Sequence, residues 1–304
     1  MSNKSITNIA ASVRARLLNA SRERGCTFNA LLVRYANERF LYRLSVSPYR
    51  DAFILKGSNL FLIWQQGFPY RQTIDSDFLV VGQADEAYLK SIFIELCESK
   101  VEVQDGIVFD PASVAASEIR EDTQYGGTRI TLEGFLGVAK VHLQFDLGVG
   151  DVVTPAPILS NYPGVLDFAS PVLRAYPRET AIAEKTKTMV TLGMLNSRMK
   201  DFADILVLER NFGYDFALLQ KAVTRTFARY EVALPKTLPT CFSNDFAQSP
   251  AKQNQWSAFC RKSYITELPK DFAAVVSECS NFLLPLLFPP TPAPQHWLPD
   301  GTWK

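Results

Sequence analysis

The sequence predicts an α/β (α+β) fold: a mixed-sheet lobe with leading helices over residues 1–172, then a helical lobe with a proline-rich tail over 173–304. Three observations carry this. Before residue 100, short apolar, strand-forming runs alternate with helix-period segments. Residues 127–148 alternate apolar and polar side chains like the two arms of a hairpin. From Pro177 onward strand signals thin out and helical periodicity takes over. With 304 residues, 47% of them hydrophobic, the chain can bury a substantial core in one large domain or two modest ones.

The elements follow in order. Ile6, Ile9, Ala10, Val13, Leu17 and Leu18 recur at helical spacing over residues 5–24, and Gly25 ends that helix. A second helix runs from Asn29 to Leu44 on the stripe Leu31, Leu32, Tyr35 and Leu41, before Ser47-Pro48 breaks it. Ala52–Lys56 reads as a strand, Gly57-Ser58 as a turn and Asn59–Trp64 as a helix. Thr73–Val81 is a second strand and Glu86–Ser99 the helix after it. Glu102, Asp105, Asp110, Glu118, Glu121 and Asp122 crowd the stretch 101–126 without a period and are read as surface charge. On the second arm of the hairpin Val141, Leu143, Phe145 and Leu147 point one way, and His142, Gln144 and Asp146 the other. Helices are expected at Glu179–Leu192, Arg198–Arg210 and Phe216–Tyr230. The stretch from Leu284 to Lys304 should be extended because of its prolines, with Trp297 and Trp303 packing back on the helical lobe or docking a partner.

Composition narrows the chemistry. A net charge of +1 and a pI near 7.6 exclude a strongly basic, histone-like protein. The first 50 residues nevertheless hold nine Lys/Arg against only Glu23 and Glu38. Those arginines can track a phosphate backbone, or they can be solvated or paired with acidic groups elsewhere in the fold. The five cysteines include no Cys-x-x-Cys pair, which argues for reduced, buried thiols over a disulfide framework or a thiolate zinc site. Only two histidines are present, His142 and His296, so histidine-centred catalysis has little material, and His142 is read as a hydrogen-bonded structural residue. No signal-like apolar segment opens the chain and no window reaches the roughly 18 apolar residues of a membrane span, so a cytoplasmic location is expected. Carboxylates remain as the chemical groups.

The most informative constellation is Gly57-Ser58, then Asp75-Ser76-Asp77, then Asp146 on a later strand. A glycine lets the backbone approach a ligand closely, and a following helix N-terminus offers N–H groups and a positive dipole end to phosphate, with the Ser58 hydroxyl as a further donor. Asp75 and Asp77, two apart on a strand, leave the same face roughly 6–7 Å apart along the backbone and can converge on shared cations. Asp146, on the polar side of its strand, can be a third metal ligand or the base for an incoming hydroxyl.

In that order the strand, Gly-Ser, helix, Asp-x-Asp strand and third-strand Asp form the pattern of the polymerase-beta-like nucleotidyltransferase fold. A closer resemblance lies in Leu32-Val33-Arg34-Tyr35, Glu38-Arg39-Phe40-Leu41-Tyr42-Arg43-Leu44, Phe53-Ile54-Leu55-Lys56-Gly57-Ser58 and Arg71-Gln72-Thr73-Ile74-Asp75-Ser76-Asp77. A second region, Glu184-Lys185 and then Arg198-Met199-Lys200-Asp201-Phe202-Ala203-Asp204, continues it. Across roughly residues 30–210 the chain resembles the AbiEii/AbiGii nucleotidyltransferase toxins, and it is similar to the mycobacterial MenT toxins. Many relatives have Lys-Gly-Gly where this chain has Lys56-Gly57-Ser58.

The resemblance implies transfer of a nucleoside monophosphate from an NTP with Mg²⁺, or Mn²⁺, held by Asp75, Asp77 and Asp146. Lys56, Gly57, Ser58 and Arg198 would help to bind the nucleotide, Lys185 would neutralise the triphosphate, and Asp201 would complete the active site, in a cleft between the two lobes. It further implies the toxin of a toxin–antitoxin pair, with tRNA or another RNA as acceptor and a cognate antitoxin as partner. On spacing alone, Arg198–Asp201 or Lys200–Asp204 surface pairs on a solvated helix are the alternative for the second region. The rival functions are nucleotidylation of a small molecule and a nucleotide-binding regulator that never turns over.

Overall fold

Two side-chain caps start the chain's first helices. The computed structural model describes residues 8–67, 75–119, 126–263 and 268–304. In it, Asn8 accepts from the Ala11 N–H at 2.9 Å to open α1 (Ile9–Glu23). Thr27 accepts from the Ala30 N–H at 3.2 Å to open α2 (Phe28–Ser45), each cap satisfying an N–H that has no partner within the helix. Ile6 of the expected first helix and Thr73-Ile74 of the expected second strand lie outside the described residues.

The chain continues as β1 (Phe53–Lys56), α3 (Leu60–Trp64), β2 (Asp75–Val80), α4 (Glu86–Glu98), β3 (Ile107–Ile119), β4 (Gly127–Leu136), β5 (Ala139–Val149), β6 (Ile158–Asn161) and β7 (Val172–Ala175). These strands form one mixed sheet in the order β3-β4-β5-β2-β1-β7-β6. β2 runs parallel to β5 and antiparallel to β1, so the two strands expected to carry the acidic residues are direct neighbours. The four-residue strands β6 and β7 went unread in the sequence, being too short to show alternation.

One face of the sheet is packed with aromatic rings. Phe40 of α2 lies 4.8 Å from Phe145 of β5, 5.3 Å from Phe93 of α4 and 5.2 Å from Phe109 of β3, centroid to centroid. All four rings are essentially removed from water, each contributing about 1.5–3 kcal/mol of burial. The opposite face of β5 carries His142, Gln144 and Asp146, as its alternation predicts.

The charges of α2 are internal. Arg43 grips Asp105 through two bonds of 2.8 and 3.2 Å, with both side chains buried. Arg39 donates to Glu38 at 2.5 Å and to the Ala169 carbonyl at 2.7 Å, and Glu38 accepts from the Val165 N–H at 2.6 Å. Arg24 reaches the Val165 carbonyl, Arg34 the Gly67 carbonyl, and Arg16 pairs with Asp167. Pairing with acidic groups therefore holds for Arg16, Arg39 and Arg43, while Arg24 and Arg34 are tied to backbone carbonyls. Two corrections to the reading of 101–126 follow. Asp105 is not surface charge but the buried partner of Arg43. Residues 107–119 form a 13-residue strand whose bulge between Asp110 and Ala115 had hidden its period. Glu121 and Asp122 lie outside the described residues.

A second compact unit comprises Asp151–Pro157 and Tyr176–Lys304, the first comprising the described residues up to Gly150 and Ile158–Ala175. Its elements are α5 (Arg178–Leu192), α6 (Met199–Asn211), β8 (Tyr214–Asp215), α7 (Phe216–Arg229), α8 (Asn244–Ala247), α9 (Pro250–Cys260), α10 (Phe272–Leu287), β9 (His296–Leu298) and β10 (Thr302–Trp303). The tail departs from the expectation of an extended chain. α10 continues through Pro285 for its last turn, and the residues beyond it fold back as β9 and β10 against β8. The indoles drive this return. Trp297 is buried, donates to the Glu209 carbonyl at 2.8 Å and sits 4.7 Å from the Phe282 ring, on which Trp303 also stacks. The five cysteines are unpaired thiols, and among the described residues no helix is long and apolar enough to cross a membrane.

Candidate active site

β2 places its side chains alternately, and that alternation builds the site. Ser76 points inward and is fully buried, 2.7 Å from the side-chain amides of both Asn37 on α2 and Asn59. Asn59 also donates to the Asp75 carbonyl at 3.0 Å and accepts from the Tyr162 hydroxyl at 3.0 Å. This buried polar network fixes the twist and height of the strand from behind. Asp75 and Asp77 consequently both point to the other face.

The register completes the constellation. Asp77 stands opposite Asp146 across the β2–β5 pair and opposite Lys56 across the β1–β2 pair, while Asp75 stands opposite Gln144. Asp75, Asp77 and Asp146 each offer a carboxylate oxygen within 4.8 Å of the others, and all three are half-buried. At that spacing each pair of charges repels by about 3 kcal/mol at an effective dielectric constant of 20. The cluster therefore calls for cations.

One cation is Arg129 of β4, which the sequence reading left unassigned. It stands opposite Asp146 and donates from Nε to Oδ1 at 2.8 Å and from Nη2 to Oδ2 at 2.7 Å. The hydrogen bond to Asp146, reinforced by the charges of Asp75 and Asp77, raises its pKa above the ordinary arginine value. Gln144 lies beside this pair, with its carboxamide within 3.3 Å of Asp146 and, with the oxygen turned that way, accepting from Arg129 at 3.1 and 3.2 Å. The signal available in the sequence was the position of Arg129 on the first hairpin arm, directly across from Asp146 once the turn is centred on Gly137-Val138.

Gly57 has a more specific role than loop flexibility. Its φ is +70°, and a Cβ built there would lie 1.9 Å from Oδ2 of Asp77. The glycine is the space that the Asp77 carboxylate occupies. The expected helix from Asn59 is reduced to a 3₁₀ turn, Gly57–Asn59, followed by the five-residue α3, and Ser58 is buried. So short a helix gives a weaker dipole than the phosphate-cradle reading assumes.

Of the other predicted residues, Lys185, Arg198, Asp201 and Asp204 gather in the helical unit. Lys185 donates to Asp201 at 3.2 Å and contacts Asp204, and Arg198 donates from Nε to Asp201 at 2.6 Å. Asp201 and Asp204 are buried, which removes the solvated surface-pair alternative; Arg198 is the N-cap of α6 and not within it. Burial raises the Asp204 carboxyl well above its ordinary range. Burial pushes Asp201 the same way, but Lys185 and Arg198 outweigh it and hold Asp201 below that range. His142 is exposed and 3.2 Å from Glu133.

The family model for nucleotidyl transferase AbiEii toxins of type IV toxin–antitoxin systems matches residues 39–278. The chain belongs to this family. It is accordingly a nucleotidyltransferase of the toxin–antitoxin class, and family membership implies a nucleotide substrate and an antitoxin partner. No curated protein matches it significantly by sequence. Among solved structures it is similar to MenT4, a nucleotidyltransferase toxin from Mycobacterium tuberculosis H37Rv, with 16% identity over 90% of this chain and 96% of that one and a TM-score of 0.53. At that identity the likeness is one of fold. JHP933 from Helicobacter pylori is also similar, at 12% identity over 92% and 95% of the two chains, with a TM-score of 0.38.

Proposed function

We propose that this AbiEii-family enzyme uses Mg²⁺ held by Asp75, Asp77 and Asp146 to transfer a nucleoside monophosphate from an NTP to the acceptor end of tRNA. The observation that carries the proposal is the convergence of three carboxylates from two adjacent strands. Their chemistry fits a hard divalent cation. Carboxylate oxygens bind Mg²⁺ at about 2.1 Å, so a shared ion needs them no more than about 4 Å apart, and oxygens that all lie within 4.8 Å of one another are within a small side-chain rotation of that. Mn²⁺ suits the same donor set.

When bound, the cation supplies Lewis-acid polarisation of the α-phosphate and charge neutralisation of departing pyrophosphate. The chain's own residues do the rest. Asp75 and Asp77 would hold that cation from one face of β2. Asp146 serves as a third ligand or takes the proton of the attacking hydroxyl, whose oxygen forms the new bond to the α-phosphorus as the bond to the β-phosphate oxygen breaks. Lys56, Gly57 and Ser58 at the end of β1 are assigned to the nucleotide. From the family pattern, Lys185 and Arg198 provide positive charge for the triphosphate, and Asp201 holds both in place.

The acceptor is tested by incubating the purified protein with Mg²⁺, each α-³²P-labelled NTP in turn and total tRNA, then sequencing the labelled RNA. Nucleotides added at tRNA 3′ ends support the proposal. Label that appears only on small molecules of a cell extract would replace the acceptor, and NTP binding without pyrophosphate release in any mixture would leave only a regulator.

A further inference from the structure

Asp146 has two carboxylate oxygens, and Arg129 holds both of them, at 2.8 and 2.7 Å. One of the same two oxygens is needed to complete the group of three carboxylates. A guanidinium and a divalent cation would therefore meet at the same atoms, where their like charges repel. Three further observations bear on that conflict. Arg129 is 40% exposed while Asp146 is 18% exposed, so the arginine sits at the rim and the aspartate beneath it. The Gln144 carboxamide lies within 3.1–3.2 Å of the Arg129 Nε and Nη2, an alternative acceptor next to the first. Arg129 also feels the charges of Asp75 and Asp77, so it offsets the whole cluster and not one member alone.

We infer that Arg129 is a positioning residue that acts as an electrostatic placeholder. In the metal-free protein its guanidinium neutralises Asp146 and keeps the three carboxylates from driving one another apart; when a cation takes Asp146, Arg129 yields at least one of its two bonds and turns to Gln144 or water. The inference rests on the metal-binding reading of the three aspartates. Its sign is fixed by electrostatics. Removing Arg129 releases both oxygens of Asp146 from the guanidinium and removes a positive charge that repels the incoming cation, and both effects tighten metal binding. A purely structural arginine would give the reverse, since its loss would let the ligand wander.

The test reads metal affinity and stability, not turnover. Free Mn²⁺ is counted by electron paramagnetic resonance against wild type, Arg129→Gln, Arg129→Lys and Asp77→Ala, and each protein is melted in EDTA and in Mg²⁺. Losing a charge-assisted, two-bond competitor should tighten Mn²⁺ binding roughly ten- to a hundredfold in Arg129→Gln. Its melting temperature in EDTA should fall and its gain on adding Mg²⁺ should exceed that of wild type. Arg129→Lys, which keeps the charge without the two-pronged grip, should tighten binding to an intermediate degree and serves if the glutamine variant does not fold. Unchanged or weaker Mn²⁺ binding in the Arg129 variants would overturn the placeholder while leaving the metal site intact. Equal binding by wild type and Asp77→Ala would overturn the metal reading itself, and the placeholder with it.

Discussion

Replacing Gly57 by alanine adds one methyl group to a residue with no side chain, yet the structure requires the change to disable the site. Two costs separate cleanly. The first is backbone strain: an L-residue at φ +70° loses about 1–2 kcal/mol. The second is local. The new Cβ would stand 1.9 Å from Oδ2 of Asp77, and the carboxylate has to retreat by more than an ångström to reach ordinary contact. A misplacement of about 1 Å at a reacting centre costs on the order of 100-fold in rate. Gly25→Ala supplies the control, because Gly25 has φ +62° and no heavy atom within 4 Å of its added Cβ. Chemical denaturation should show both variants losing about 1–2 kcal/mol. Only Gly57→Ala should also lose Mn²⁺ affinity and about two orders of magnitude in label transfer. Wild-type metal binding and turnover in Gly57→Ala would refute the claim that this glycine sets the position of Asp77.

Ser76→Ala leaves the amides of Asn37 and Asn59 facing a methyl group, and urea titration should show a loss of about 1–3 kcal/mol, with a fall in activity as β2 loosens. Asp105→Ala strands the buried Arg43 guanidinium and should cost about 3–5 kcal/mol, whereas the paired change Arg43→Met with Asp105→Leu should recover most of it. Trp297→Ala opens the aromatic cluster under the C-terminal hairpin, for which denaturation should read about 3–5 kcal/mol. Burial, helped by Glu278 and opposed by Arg210, pushes the Glu209 carboxyl from 4.5 up to about 8. The folded protein then keeps a proton that the unfolded chain releases, so this group's stabilising contribution is complete below about pH 4.5 and disappears as the pH rises to about 8. Glu209→Gln should flatten that fall in a pH series of urea midpoints; identical slopes in the two proteins between pH 5 and 8 would contradict it.

What could be read in advance follows from how far each signal reaches along the chain. The alternation of Val141, Leu143, Phe145 and Leu147 is local, and it placed Asp146 on the open face before any pairing was known. Asp75 and Asp77 share a face for the same reason. Pairing is non-local: that Asp77 faces Asp146 on one side and Lys56 on the other depends on β2 lying between β1 and β5, which no spacing in the sequence encodes. Arg129 escaped notice because its partner lies 17 residues away across a hairpin. Asp105 was misread because a buried, paired carboxylate and a solvated one look alike in sequence; the arginine that pairs with it sits 62 residues earlier. Gly57 was singled out for its lack of a side chain as a place for a ligand to approach; the object filling that space is the Asp77 carboxylate. The tail was misjudged since prolines announce a helix end, whereas the pull of Trp297 and Trp303 toward Phe282 is visible only once α10 is in place.

The central claim is that Asp75, Asp77 and Asp146 together hold the cation on which nucleotidyl transfer depends. Its most direct measurement is Mg²⁺-dependent release of pyrophosphate and transfer of α-³²P label from an NTP to RNA, compared between wild type and the isosteric Asp77→Asn protein after both are shown to melt alike. The account predicts label and pyrophosphate from wild type with Mg²⁺, none in EDTA, and a loss of at least about 1,000-fold in Asp77→Asn. Equal transfer by the two proteins, or transfer by wild type that persists in EDTA, would contradict it.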